Sequence, residues 1–134
     1  YEQFRTASDF TPCEQEVVFM VLSRENGCDY CMGAHSFIAD KMSGVPEHVT
    51  DAIRDGNVID DIKLEALARF TKVMLSTRGL PTRNDITGFI EAGYTEQHVL
   101  EIIVAISVKT LSNYSNHLFH TELDDVFSSR VWSE

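Results

Sequence analysis

What most constrains this chain is where its helix breakers stand. Pro12, Gly27, Gly44, Pro46, Gly56, Gly79, Pro81 and Gly93 fall between runs of apolar residues at helical spacing, so the sequence is cut into helix-length pieces. Thr11-Pro12-Cys13-Glu14 supplies a hydroxyl cap, a proline at the first helical position and a glutamate three residues after the cap. It predicts a helix over 12–26, ended by Gly27. A second helix follows over about 28–43, with Met32, Ile38, Ala39 and Met42 in period. Pro46 opens a short third helix to about Asp55. Asp60-Asp61 leads a fourth to about Arg78, and a fifth covers 82–92. Thr95 caps a sixth to about Thr121. That last helix carries Val99, Leu100, Ile102, Ile103, Val104, Ala105, Ile106, Val108 and Leu111 and reads as the central helix of the core. Ile102 to Ile106 alone would also suit a buried strand, but its length and its lack of flanking turn residues favour helix. Residues 122–134 hold Leu123, Val126, Phe127, Val131 and Trp132, apolar enough to pack on the body or on a neighbouring subunit. The fold class is all-α, about six helices in one domain spanning 1–134.

Charge and cysteine usage narrow the function classes. The longest uninterrupted apolar run, Val17 to Leu22, has six residues, against the ~20 needed to span a bilayer. No membrane partner is expected. With 11 Lys plus Arg against 21 Asp plus Glu, the net charge is -10, which repels phosphate backbones and disfavours nucleic acid. Three cysteines, Cys13, Cys28 and Cys31, cannot close a disulfide framework. With no basic-then-apolar leader in the sequence, a reducing, cytoplasmic setting is the expectation.

Chemistry concentrates in Gly27-Cys28-Asp29-Tyr30-Cys31-Met32-Gly33-Ala34-His35. At about 100° per residue, Cys31 lies about 60° and His35 about 20° from Cys28, so all three share one helix face. Met32, Ala39 and Met42 fall on that face, which predicts a half-buried site. Cys28, in the first turn, would have its thiol acidified by unpaired backbone N–H groups, from about 8.5 into the range of about 3.5–7.5. A hairpin at Gly27 would fold the first helix back so that Glu16 comes within reach of His35. Such a pair orients an imidazole and frees its other nitrogen to move a proton to or from a thiol. Glu16, His35, Cys28 and Cys31 together supply orienting group, base, nucleophile and resolving thiol. The same residues permit a rival reading, a zinc site of Cys28, Cys31 and His35 completed by Glu16, His117 or His120, in a non-catalytic interaction module. His117 and His120 otherwise read as solvent or subunit contacts. Asn113, Asn116 and Tyr114 are placed to border the site, Cys13 reads as an unpartnered helix-start residue, and His48 and His98 as surface residues.

The pattern Glu16-x11-Cys28-x2-Cys31-x3-His35 on two successive helices resembles the motif of AhpD-like alkylhydroperoxidases, in the carboxymuconolactone decarboxylase superfamily. The resemblance in helix order runs over about 11–121. It implies an AhpD-like fold, a homo-oligomer of three or six subunits, and reduction of hydroperoxides through a Cys-x-x-Cys disulfide restored by an external dithiol or thiol. No cofactor or metal is implied. By the same resemblance Cys31 meets the peroxide, Cys28 resolves it, and Glu16 and His35 relay the proton. Tyr30 stands where some members of the family carry histidine. Lactone decarboxylation, the superfamily's other activity, does not rely on a cysteine pair.

Overall fold

A computed structural model describes residues 1–133, and these residues form helices without a strand. The order is α1 (Glu2–Ala7), α2 (Pro12–Glu25), α3 (Asp29–Lys41), α4 (Glu47–Asp55), α5 (Ile62–Ser76), α6 (Arg83–Glu91), α7 (Glu96–Phe119) and a final 3-10 helix (Asp125–Arg130). No helix among the described residues is long and apolar enough to cross a membrane. Side-chain caps fix the starts. Thr11, Thr82 and Thr95 each close a reciprocal capping box, and the Asp61 carboxylate accepts the Leu64 N–H at 2.9 Å. Gly56 ends α4 in the left-handed region, at φ 72°.

The central helix is α2, not α7. Ten consecutive residues of α2, Glu14 to Ser23, are buried, and the helix packs against α3, α4, α5 and α7. Its hydropathy is unremarkable because Glu14, Gln15 and Glu16 lie among the buried residues, each with hydrogen-bond partners. α7 instead buries only one side, for reasons that lie in its polar residues.

Two segments add to the six-helix reading. α1 lies against α7, packs Phe4 on Phe19 with ring centroids 5.2 Å apart, and sends Arg5 inward. The 3-10 helix packs on α3, so the apolar tail covers the body of its own chain. Arg130 ties it down through Asp40 at 2.7 Å and Asp51 at 2.8 Å. Gly33 makes this approach possible: a Cβ there would stand 2.8 Å from Leu123 Cδ1. Aromatic stacking of Phe70 on Phe89, 4.3 Å between centroids, and of Phe89 on Tyr94, 4.6 Å, joins α5, α6 and the start of α7.

Candidate active site

Gly27, at φ 67°, turns α2 into α3 and lays the two side by side. Glu16 is thereby buried beneath His35. Its carboxylate accepts from His35 Nδ1 at 3.1 and 3.2 Å and from Arg5 Nη2 at 2.8 Å. Burial pushes the Glu16 carboxyl up, yet the His35 and Arg5 contacts prevail and hold it below the usual carboxylate range. His35 moves the other way from what its carboxylate partner alone would cause. Burial first, and the charge of Lys109 with it, keep the ring neutral and its pKa below the ordinary value. With its Nδ1 proton given to Glu16, the ring presents Nε2 as an acceptor.

What Nε2 accepts from is a lysine. Lys109, on α7, is 1% exposed, and its Nζ donates to His35 Nε2 at 2.8 Å, to Tyr1 Oη at 2.6 Å and to Ser112 Oγ at 3.5 Å. Tyr1 Oη is itself 3.1 Å from His35 Nε2. Burial depresses the pKa of Lys109.

The two sulfurs are buried, reduced and unequal. Cys28 is the N-cap of α3, and its Sγ accepts the Cys31 backbone N–H at 3.3 Å. Cys31, one turn on, has its Sγ 3.2 Å from Asn116 Nδ2, which donates to it, and 3.9 Å from Ser112 Oγ. The hydrogen bond from the Cys28 thiol lowers the Cys31 pKa to about 5, and Lys109, Asn116 and Asn113 act with it against burial. That same hydrogen bond, together with burial, pushes the Cys28 thiol up. The dipole expectation for Cys28 therefore fails. As the cap it lies outside the first turn, and its proton is committed to its neighbour.

Glu16, His35, Cys28 and Cys31 are thus gathered in one buried region between α2, α3 and α7. Met42 does not join them. It is 74% exposed past the end of α3, because the helix stops at Lys41 and Met42 turns away as its cap. Among the described residues His35 makes no hydrogen bond to either sulfur; Lys109 and Ser112 stand between. The zinc set does not assemble either. Both ring nitrogens of His35 are engaged, exposed His117 bonds the Gly27 carbonyl at 3.2 Å, and among the described residues no three His, Cys, Asp or Glu side chains converge to hold a metal. Asn116 does border the site, whereas Asn113 bonds Asn26 at 2.9 Å and Tyr114 faces outward. A pocket of about 430 Å³, lined by Gly27, Cys28, Asp29, Tyr30, Asn116 and His117 among others, opens the Cys28 side to solvent.

No family model and no curated protein matches the sequence. Among solved structures, an uncharacterized peroxidase-related protein from Silicibacter sp. TM1040 is similar over 97% of this chain and 69% of that one, with a TM-score of 0.82 and 16% identity. The fold is AhpD-like. At that identity the likeness carries the helical architecture alone.

The likeness carries the α2–α3 hairpin, on which this chain sets Glu16 beside His35; Arg5, Tyr1, Lys109 and Ser112 join them there. Those four the sequence reading missed. Lys109 carried a usable signal: it is the only Lys or Arg in α7, four residues from Ala105 and four from Asn113, on the buried side.

Proposed function

We propose that this chain is a thiol peroxidase that reduces hydroperoxides through Cys31 and Cys28. One arrangement carries the reading: two adjacent buried thiols, of which Cys31 accepts from Asn116 Nδ2 at 3.2 Å and is acidified while Cys28 caps α3 and is held protonated, are a nucleophile and a resolver already told apart. The peroxidase-related name of the Silicibacter protein agrees in kind.

In the first step the Cys31 thiolate takes the distal oxygen of ROOH. An S–O bond forms, the O–O bond breaks, sulfur is oxidised to the sulfenic acid, and the leaving alkoxide takes up a proton to become ROH. Cys28 then attacks Cys31; its proton and the sulfenic hydroxyl leave as water, and the disulfide forms. An external dithiol, approaching by the pocket on the Cys28 side, restores the pair by exchange. Glu16 and His35 anchor the proton network that serves these steps. Copies of the chain associate through the outer side of α7, where Leu100, Ile103, Val104, Leu111 and Leu118 are exposed.

The test is peroxide turnover with a dithiol donor. Cys31→Ser abolishes it, and Cys28→Ser leaves a sulfenic acid trapped at Cys31 by dimedone. Wild-type turnover in both single variants overturns the proposal.

A further inference from the structure

Lys109 is the group that the four-residue motif leaves unexplained. Burying an ammonium costs several kcal/mol unless its hydrogen bonds are satisfied and a negative charge lies near. Its three N–H groups have three acceptors, His35 Nε2, Tyr1 Oη and Ser112 Oγ, and all three are neutral. No carboxylate lies within ion-pair distance of it among the described residues. Glu16, the carboxylate in this region, is already taken by Arg5 and His35. The remaining anionic position is Cys31, whose Sγ is 3.9 Å from the Ser112 hydroxyl that Lys109 also contacts.

The other charged groups around Cys31 do not compete for this role. From α1, Arg5 is bound to Glu16 at 2.8 Å and Tyr1 is a phenol kept protonated by burial. From α2 comes only Glu16, and from α3 come Cys28, Tyr30 and His35. Tyr30 turns its hydroxyl to Asp124 at 2.8 Å, so the acid of the final segment is occupied there.

We propose that Lys109 is the positioning residue joining the Glu16–His35 pair to Cys31: its ammonium, held by His35 Nε2, acts through the Ser112 hydroxyl to keep Cys31 ionised and to supply the proton that the leaving alkoxide takes up. The second half of this role rests on the peroxidase reading. The first half concerns ionisation alone. As the O–O bond breaks, the Ser112 O–H protonates RO⁻ and an N–H of Lys109 replaces it, which leaves a neutral amine. When the dithiol later reduces the disulfide, it releases two protons. One reforms the Cys28 thiol, the other returns to Lys109, and Cys31 leaves as the thiolate.

The experiment is the pH dependence of iodoacetamide alkylation at Cys31, read by peptide mass spectrometry on the full chain with Cys28 intact. The wild type should show a midpoint near 5. Lys109→Met should raise it by about 1–3 units, as loss of an adjacent opposite charge does, and Lys109→Arg should restore most of the shift. A Lys109→Met midpoint that coincides with the wild type overturns the proposal. If Lys109→Met loses its helical circular dichroism, Ser112→Ala, at a half-buried position, takes its place: an upward shift of its midpoint sustains the link and an unchanged midpoint breaks it. Peroxide turnover is measured separately. A wild type without turnover but with a Lys109-dependent midpoint refutes the peroxidase reading and upholds the ionisation link.

Discussion

The inner face of α7 buries Glu101, Lys109 and Asn113, while its outer face presents Leu100, Ile103, Val104, Leu111, Leu118 and Phe119 to solvent. Ile102 and Ala105 share the inner face, but its three buried polar residues and the outer row of exposed apolar ones run against the ordinary amphipathic pattern, in which apolar residues face the core. The difference teaches that location follows the supply of partners. Inside, Lys109 meets three acceptors, Asn113 meets Asn26 and Ser23, and Glu101 accepts the Asp9 N–H at 2.8 Å. Outside, Leu100, Leu111 and Leu118 are each more than half exposed. The proposed function uses the inner face for chemistry and the outer face for contact with another copy.

The largest effect should follow from making the interior apolar. Glu16→Leu keeps the volume but strands Arg5 and His35, and leaves the Lys109 charge without a carboxylate nearby. Removing one partner of a buried ion pair costs about 3–5 kcal/mol. A urea midpoint within experimental error of the wild type would show that the buried charges tolerate neutralisation, and the contrast between faces would collapse.

Acid should weaken the same region. Glu16 and His35 both have folded pKa values below their unfolded values. For each group the unfolded chain binds the proton first as pH falls, so stability is lost with acid. The loss begins below about 6.5 for His35 and continues below about 4.5 for Glu16, from the unfolded reference values. In His35→Gln, stability measured from pH 7 to pH 5 should fall less steeply than in the wild type, because the titration that acts in that window is gone. An equal slope would assign the acid sensitivity to other groups.

A middle-sized effect belongs to Asn113, which holds α7 against α2 through Asn26 and Ser23 and makes a smaller contribution than Lys109 to lowering the Cys31 thiol. Asn113→Leu leaves Asn26 Nδ2 and the Ser23 hydroxyl short of a partner, at a cost of about 1–3 kcal/mol. The Cys31 alkylation midpoint should rise, but by less than in Lys109→Met, because Lys109 is the larger of the two causes; a rise equal to that of Lys109→Met would show that the midpoint reports helix placement and not the Lys109 charge.

How much of this was legible depends on which physical signal wrote it. Helix ends were readable, because Thr11, Thr82, Thr95, Gly56 and Gly93 act on neighbours within four residues. The Glu16 and His35 juxtaposition was readable too, since a hairpin at Gly27 sets it by chain geometry. The rank of the helices was not. Hydropathy counts α7 as the most apolar element, yet its leucines face out, while α2 carries two glutamates and a glutamine into the centre. Lys109, Tyr1 and Arg5 reach the site from distant parts of the chain, and no local pattern encodes a contact between residues 1 and 109. The short α1 helix likewise depends on tertiary contacts such as Phe4 on Phe19, because six residues cannot hold a helix alone.

The smallest effect on the folded monomer should come from making the exterior polar, and this is where the comparison is sharpest. Leu118 is 76% exposed and Leu111 is 73% exposed, so replacing either by glutamine removes almost no buried surface. Surface changes of this kind stay within about 0.5 kcal/mol. Association is another matter. Leu100, Val104, Ser107, Leu111, Tyr114 and Leu118 follow one another at spacings of four and three, the interval that keeps a seam facing a partner helix. Within α7 the exposed positions from Gln97 onward carry no Asp, Glu, Lys or Arg, on a chain whose net charge is -10, so two copies can meet there without repulsion. The double variant Leu111→Gln, Leu118→Gln should therefore keep the wild-type urea midpoint under conditions where both are monomeric, yet sediment as a smaller species at concentrations where the wild type associates. If its sedimentation matches that of an associating wild type, the outer face is not the contact. A fall in monomer stability comparable to Glu16→Leu would mean that the leucines support the fold itself, and the two faces of α7 would no longer differ in kind.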